Sequence, residues 1–293
     1  MPLVSVILPT CDRPKLWPRA LDSVLNQTWA DFEVILVDSN RVRGRLRDDP
    51  SLPGRLADPR VVLVEKPHAP NAAAARNVGL AAARGDWITY LDDDDAYLPE
   101  KISAQLTLAG SVSAPLVLCG YIVNMPRRRR TRQVSQTAFR GDALLNDANW
   151  GTPMLFHRRD PAARFDESLR AGHDEFFAHA FICRHNVQVV PNCARSLVDV
   201  FPQVGATRVH RGDRVWPAYR ATWELVHTRY SHAACRRYLA KGRLVRAQGG
   251  HGSRAHFLAC ASAVLATHGP GGWRLVANAS AHRFGLLSKW VVS

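Results

Sequence analysis

Four consecutive aspartates, Asp92 to Asp95, follow directly on a short apolar segment at residues 87–91. An apolar run of this length, with a glycine before it and a proline after it, predicts a buried β-strand. Carboxylates that lie side by side repel one another and resist removal from water, so the cluster is costly unless a cation compensates for it. Hard oxygen ligands suit Mg²⁺ or Mn²⁺, which in turn bind phosphate. The alternative interpretation is a solvated acidic turn in front of a helix.

The pattern around this cluster predicts an α/β fold with a doubly wound, mostly parallel sheet flanked by helices. Apolar, β-prone runs alternate with segments of helical periodicity, which is typical of this architecture. The predicted strands are residues 4–8, 32–37, 61–64 and 87–91, and the predicted helices are residues 16–25, 71–83 and the segment opened by Pro99. Three strand ends, at residues 10–12, 38–40 and 92–95, should therefore meet at one edge of the sheet, where open α/β sheets bind ligands.

The rest of the chain is less regular. We predict strands at residues 115–123 and 152–157, a turn at residues 165–169 and a helix opened by residues 172–177. Five arginines between Arg127 and Arg132 indicate a charged hairpin or loop, either simply solvated or in contact with an anionic acceptor. The last third should be helical.

Length and composition limit the number of domains and the class of protein. A chain of 293 residues can hold one large domain, or one domain with an appendage. We expect no transmembrane helix and no signal peptide, because no long uncharged apolar run or basic leader is present. The six cysteines are widely spaced and form no C-x-x-C pair, which favours a reducing, cytoplasmic setting without zinc or disulfides.

Positive charge is concentrated at the C-terminal end. The net charge is +14, and from Gln203 onward 14 Lys and Arg stand against Asp213 and Glu224, a net +12. We therefore predict a domain at residues 1–213 and a basic, mostly helical C-terminal region at residues 214–293. Basic amphipathic helices with Trp and Leu can lie on a membrane surface, as a peripheral contact on the inner face of the cell membrane. The alternatives are packing on the first domain or a homodimer contact.

Four segments resemble family 2 glycosyltransferases with the GT-A fold. They are VSVILPTCDRP at residues 4–14, the run at residues 20–38, the run at residues 71–102 and, more loosely, FDESLRAGHDEFF at residues 165–177. The resemblance fades between residues 116 and 151 and ends at about residue 213.

The resemblance implies a nucleotide-sugar donor, a divalent metal ion and inversion at the anomeric carbon. Its implied donor-binding residues are Pro9, Thr10 and Asp12 in the first nucleotide-binding loop, Asp38 on the base, which is typically uracil, Asn71 and Arg76 near the nucleotide, and Asp92 and Asp93 near the ribose and the waters of the metal. The D-x-D motif would place Asp94, with Asp92, on Mn²⁺ or Mg²⁺. His210 is a further candidate metal ligand or an ordinary surface histidine, and Arg208 or Arg211 could neutralise the diphosphate.

The resemblance also implies that Asp174 is the general base that takes the proton of the acceptor hydroxyl. The usual Glu-Asp pair is His173-Asp174 here, followed by Glu175, so a shift of one residue would give the role of base to Glu175 or leave His173 at the site. Two other departures are Cys11, where an aromatic residue often stacks on the base, and Ser39-Asn40 after Asp38.

The leading hypothesis is an inverting, metal-dependent transferase that moves sugar from a UDP-sugar to a hydroxyl of a glycan, lipid-linked or polymer acceptor. A non-catalytic nucleotide-sugar or polyanion-binding module on the same scaffold is the main alternative. A sugar nucleotidylyltransferase would need a glycine-rich basic loop after the first strand, which is missing. A nucleic-acid binder is disfavoured, since no helix-turn-helix, zinc-finger spacing or aromatic platform is present.

Overall fold

The computed structural model describes residues 3–41, 46–125, 128–132, 136–202, 212–248 and 254–268, together with Gly272 and Val276. The chain forms two compact units. The first comprises Met1–Arg140, Asn149–Glu167 and Arg184–Ala206, and the second comprises Gly141–Ala148, Ser168–Cys183 and Thr207–Ser293. The second unit thus combines two short segments from the middle of the chain with its C-terminal region.

The first unit is built on a mixed sheet. In chain order its strands are β1 (Val4–Thr10), β2 (Phe32–Asp38), β3 (Val61–Glu65), β4 (Trp87–Tyr90), β5 (Ala96–Tyr97), β6 (Leu116–Met125), β7 (Arg128–Arg132), β8 (Ala138–Arg140), β9 (Phe156–Arg158) and β10 (Val189–Val200). The spatial order is β3-β2-β1-β4-β9-β6-β10-β5, with β7 beside β6 and β8 beside β10. Strands β3, β2, β1 and β4 are parallel, as predicted, and β9 runs antiparallel to both of its neighbours.

The helices of this unit are α1 (Trp17–Leu25), α2 (Leu52–Leu56), α3 (Ala72–Ala82) and α4 (Lys101–Ser111), with a 3-10 turn at Thr152–Met154. Every residue of β1 and β2 is buried, which explains why these strands are continuous apolar runs and not alternating ones. Helix α3 is rich in alanine because it packs closely on the sheet. A Cβ at Gly79 would lie 2.4 Å from Cγ2 of Ile7, so this position has room only for hydrogen.

The register of the parallel strands brings their carboxyl ends together. Thr10 pairs with Asp38 across β1 and β2, Pro9 pairs with Val37, and Ile7 pairs with Tyr90 across β1 and β4. The loops that follow β1, β2 and β4 therefore leave the sheet at the same edge, where the sequence predicted a ligand crevice.

One predicted strand differs from the structure, and some elements were not predicted. Residues 152–157 form the 3-10 turn and then the short β9, not one strand, because Pro153 lacks the N–H that strand pairing needs. The connector at residues 39–59 contains the short helix α2. Strand β10 was not predicted, since its pairing with β6 shifts register on both sides of Ser196 and this irregularity removes the two-residue alternation.

The second unit is helical. Its helices are α5 (Asp142–Asn146), α6 (His173–Arg184), α7 (Gly212–Val226), α8 (His232–Gln248) and α9 (Arg254–His268). Helices α7 and α8 approach closely at Gly242, where a Cβ would lie 2.6 Å from the ring of Tyr219, and the rings of Tyr219 and Tyr238 are 4.8 Å apart. The side chains of Tyr219 and Val226 on α7 are buried.

Helix α8 carries five Lys and Arg and no acidic residue. It packs on α9 through a core that includes Leu244, Phe257 and Val264. Within the described residues, no helix has both the length and the apolar character needed to cross a membrane. Most of the predicted final amphipathic segment, including Trp273 and Trp290, lies outside the described residues.

Candidate active site

The loops after β1 and β2 are joined at the carboxyl edge of the sheet. Ser39 binds the carbonyl oxygen of Thr10 twice, through its N–H at 3.0 Å and its hydroxyl at 2.8 Å. Asn40 donates its N–H to Asp38 Oδ1 at 2.9 Å, and its side-chain oxygen accepts the N–H of Asp12. The Ser39-Asn40 pair, a departure from the family pattern, therefore holds the loop after β1 in place.

Asp38 itself is buried at the end of β2. Burial raises the pKa of its carboxyl group, and the nearby Glu65 adds to the effect. A carboxylate in this position needs a hydrogen-bond donor for its remaining lone pairs, which the N–H of a base such as uracil would supply.

The aspartate cluster reaches the same edge. Thr10 Oγ1 donates to Asp93 Oδ2 at 2.9 Å, which ties the end of β1 to the residues after β4. Asp95 accepts the N–H of Phe201 at 3.1 Å and is buried. Asp92 forms an ion pair with Arg76, whose side chain is only 4% exposed. The carboxylates of Asp92, Asp93 and Asp95 are thus bound by other residues of the protein and do not form one solvated turn.

The pKa values of the clustered aspartates are raised mainly by burial and, to a smaller extent, by repulsion between neighbouring carboxylates. Burial raises the pKa of Asp93 to about 6, although Arg13 and Thr10 act in the opposite direction. The pKa of Asp94 is raised by burial and then by the charge of Asp92, and the pKa of Asp95 is raised well above its usual value for the same reasons. Additional positive charge at this place would therefore stabilise the cluster.

The carboxylate oxygens of the aspartate cluster are suited to a divalent ion that also binds a substrate. Among the residues that the structure describes, no group of three or more His, Cys, Asp and Glu side chains is arranged to hold a metal. Mg²⁺ typically takes one or two protein carboxylates and completes its shell with phosphate oxygens and water. Asp94, with Asp92, meets that requirement, and the repulsion between them gives a reason for a cation to bind. His210, Arg208 and Arg211 lie outside the described residues.

Two asparagines of the α3 segment bind the chain near Phe165: Asn77, which the sequence pattern did not single out, and Asn71, which it did. Asn77 Nδ2 donates to the carbonyl oxygen of Phe165 at 2.9 Å, and Asn77 Oδ1 accepts the N–H of Phe165 at 2.8 Å. Asn77 also donates to Glu167 Oε1 at 2.9 Å. Asn71 caps the helix by accepting the N–H of Ala74 at 3.0 Å, and donates to the carbonyl oxygen of Glu167 at 2.7 Å.

The segment at residues 71–77 makes two kinds of contact within the protein, while its contact with a nucleotide stays a prediction. Arg76 neutralises Asp92, and the two asparagines hold the segment at residues 165–167. Polar residues inside an otherwise alanine-rich helix were the available signal, but nothing local identified their partners.

A small crevice opens beside this edge. It is lined by Thr10, Arg13, Pro14, Trp17, Asn40, Leu46 and Asp49. Thr10 and Asn40 connect it directly to the loops described above. With a volume of about 10 Å³ it has room for about one water molecule, so it marks a small gap beside the edge and not a preformed ligand pocket.

Asp174 and Glu175 belong to the second unit, in the first turn of α6. Asp174 Oδ1 accepts the N–H of Glu175 at 3.0 Å. Burial raises the pKa of Glu175 to about 7, while Lys241 and a hydrogen bond with Tyr238 act in the opposite direction. Glu175 is thus held among α7 and α8, whereas Asp174 stays the predicted base.

The model of the family described as "Glycosyl transferase family 2" matches residues 5–173, more than half of the chain. The succinoglycan biosynthesis protein ExoO of Rhizobium meliloti is 30% identical over 192 residues, which are 59% of this chain and 54% of ExoO. The UDP-Glc:alpha-D-GlcNAc-diphosphoundecaprenol beta-1,3-glucosyltransferase WfgD of Escherichia coli is 31% identical over 109 residues, 36% of this chain and 40% of WfgD. The chain thus spans about half or less of the length of these relatives.

Solved structures show the same fold at low identity. TarS 1–349 of S. aureus in complex with UDP-GlcNAc has a TM-score of 0.67 at 16% identity, over 96% of this chain and 88% of that one. The mannosyltransferase PcManGT from Pyrobaculum calidifontis, in complex with GDP-Man and Mn²⁺, has a TM-score of 0.59 at 18% identity, over 99% and 88%. The sheet order, the joined strand ends and the matched family model together lead to one conclusion: this chain has a GT-A fold and belongs to glycosyl transferase family 2.

Proposed function

We propose that this protein is an inverting glycosyltransferase that moves a sugar from a UDP-sugar to a hydroxyl group of a glycan, lipid-linked or polymer acceptor. One observation carries the proposal. Thr10 pairs with Asp38 in the sheet and donates a hydrogen bond to Asp93, so the predicted base-binding and diphosphate-binding residues lie side by side on one edge. A nucleotide sugar fits this arrangement, because its base and its diphosphate are joined through a single ribose and must bind at neighbouring places.

The donor would bind along this edge. Asp38 would accept the N–H of the base, and the loop at Pro9 and Thr10 would enclose the nucleoside. Asp94, with Asp92, would hold Mn²⁺ or Mg²⁺, and that ion would neutralise the diphosphate and the departing nucleoside diphosphate. The complexes of TarS with UDP-GlcNAc and the name of WfgD support UDP as the donor nucleotide.

Asp174 would act on the acceptor. Its role is to take the proton of the attacking hydroxyl from the face opposite the leaving group, so that a single displacement inverts the anomeric carbon. A positioned general base contributes about 10²–10⁴ in rate. Asp174 lies in the first turn of α6, where a carboxylate is a favourable partner for the helix dipole.

The names of the relatives support the class of acceptor. ExoO is a succinoglycan biosynthesis protein, and WfgD is named for a sugar linked to diphosphoundecaprenol. A lipid-linked acceptor at the inner face of the membrane would suit the net +12 from Gln203 onward, through peripheral contact or acceptor charge.

A donor panel tests the proposal. Thermal shifts with UDP-, GDP-, dTDP- and CMP-sugars, with and without Mn²⁺, should identify a UDP-sugar that stabilises the protein only when metal is present. Asp94→Asn should abolish this metal-dependent stabilisation, and Asp174→Asn should keep donor binding but lower transfer at least about 100-fold. Full transfer by Asp94→Asn would refute the metal role. Donor binding without any transfer or donor hydrolysis by the wild type would favour the non-catalytic binding module.

A further inference from the structure

Arg13 makes a contact that the proposed donor site does not explain. Its Nη1 lies 2.9 Å from Asp93 Oδ1 and 3.2 Å from Asp94 Oδ2, so a single guanidinium group bridges two carboxylates of the cluster. The Arg13 side chain is 47% exposed, whereas those of Asp93 and Asp94 are 7% and 23% exposed. A half-exposed cation is therefore bound by two largely buried anions.

Two other arginines near the cluster are held differently. Arg76 is buried and paired with Asp92. Arg19 lies on α1, donates to the main-chain oxygen of Asp94 and stacks 3.8 Å from the centre of the Phe201 ring. Neither binds the carboxylate of Asp94, so Arg13 is distinguished by using the oxygen that the proposed metal would use.

Arg13 lies outside the regular secondary structure. It lies on the loop between β1 and α1, after Asp12 with a φ of 52° and before Pro14. Its contact with the cluster is made by a side chain that is 47% exposed, so the guanidinium already reaches solvent while it is bound to Asp93 and Asp94.

A divalent ion and the Arg13 guanidinium would compete for the same carboxylate. Both need the carboxylate of Asp94, and two cations side by side repel each other. Once released, the guanidinium presents a planar set of N–H donors, the geometry that binds phosphate oxygens in a bidentate manner. Arg13 also lines the crevice beside Thr10 and Asn40, at the edge of the sheet where the nucleotide would lie.

We propose that Arg13 is an internal counter-ion of Asp93 and Asp94 that a divalent metal displaces, and that the displaced guanidinium then binds the diphosphate of the donor. This inference rests on the proposed function. It makes Arg13 a residue that couples the two ligands: the metal releases the arginine, and the diphosphate gives the released arginine a new partner. By linkage, each ligand must then strengthen the binding of the other.

The test measures binding and not activity. Titration calorimetry gives the Kd of Mn²⁺ alone and of UDP with saturating Mn²⁺, for the full chain and for Arg13→Gln. We expect Arg13→Gln to bind Mn²⁺ alone about 5-fold more tightly, because the competitor is gone, and to bind UDP with Mn²⁺ about 5-fold more weakly. A purely structural role would weaken both.

Two matched variants separate the contact from general electrostatics. Arg41→Gln removes one positive charge from the same edge, where Arg41 pairs with Asp12 at 3.2 Å, and should leave both constants close to wild type. Arg13→Lys keeps a competing cation but lacks the planar donors, so Mn²⁺ alone should bind as in wild type while UDP binds more weakly. Thermal denaturation confirms that each variant is folded.

The outcomes distinguish this inference from the proposed function. If Mn²⁺ and UDP bind the wild type in a manner that Asp94→Asn abolishes, but Arg13→Gln leaves the Mn²⁺ constant unchanged or weaker, the counter-ion role is wrong and the proposed function stands. If Arg41→Gln changes Mn²⁺ affinity as much as Arg13→Gln does, general charge explains the effect and the inference is refuted. If neither wild type nor Arg13→Gln binds Mn²⁺ at all, the inference and the metal role fail together.

Discussion

Replacing Lys101 by methionine should stabilise this protein near neutral pH. Lys101 begins α4 and is completely buried. Its ammonium group donates a hydrogen bond to Thr89 Oγ1 and lies 4.1 Å from the centre of the Tyr97 ring. The titratable groups that face it are the thiols of Cys119 and Cys193, and burial raises their pKa values to about 12 and about 11, so both are neutral.

The magnitude follows from the pKa of Lys101, which burial lowers from 10.5 to about 7. The difference corresponds to about 5 kcal/mol of unfavourable free energy for the charged, buried form. The contact with the Tyr97 ring returns about 2 kcal/mol of this, so the expected net gain for Lys101→Met is about 3 kcal/mol. Thr89 keeps a partner in the variant, because its hydroxyl also donates to the carbonyl oxygen of Leu155 at 2.7 Å.

The sign depends on pH in a specific way. Below about pH 7 the lysine is protonated in both the folded and the unfolded chain, and the folded state carries the full penalty. Between about pH 7 and pH 10.5 the folded state releases its proton first, so wild-type stability rises and the advantage of the variant shrinks. Above pH 10.5 both states are neutral and the advantage should vanish.

Urea denaturation of both proteins at pH 6, 8 and 9.5 measures this effect, with Lys66→Met, which replaces an exposed lysine, as the control. The control should change stability by less than about 0.5 kcal/mol at every pH. A loss of stability for Lys101→Met at pH 6, or a gain that does not depend on pH, would show that the ammonium group is not buried as described.

Two further predictions concern residues that hold the site. Asn77→Ala should lower the free energy of unfolding by about 2–3 kcal/mol, because it leaves the N–H and the carbonyl group of Phe165 without their side-chain partner. Urea titration measures this loss, and the control Asn26→Ala, at an exposed position, should lower the free energy of unfolding by less than about 1 kcal/mol. Equal losses in the two variants would contradict the role of Asn77. Glu175→Gln should match the wild type near pH 4.5 and be more stable at pH 8, since the pKa of Glu175 is raised to about 7 and its folded state is penalised progressively as pH rises from 4.5 through 7. A difference in stability that is the same at both pH values would show that the carboxyl group does not titrate as the structure indicates.

The sequence was sufficient to predict the features that depend only on residues close together in the chain. Strands β1, β2 and β4 were predicted because they are short apolar runs with clear ends, and their order with the helices implied a parallel sheet. The family resemblance was confirmed, since its motifs lie in those segments. Position in the chain alone also placed the aspartates at a strand end.

Tertiary structure decided which partners those aspartates have. Thr10 and Arg13 bind Asp93 from 83 and 80 positions away, and Asn77 holds Phe165 across 88 positions. Strand β10 was missed for a related reason: its pairing with β6 tolerates the irregular register at Ser196, so no local alternation reveals it. Periodicity reports only which face of an element is buried, whereas the choice of a hydrogen-bond or ion-pair partner depends on the packing of distant segments, and that becomes visible only when the chain is folded.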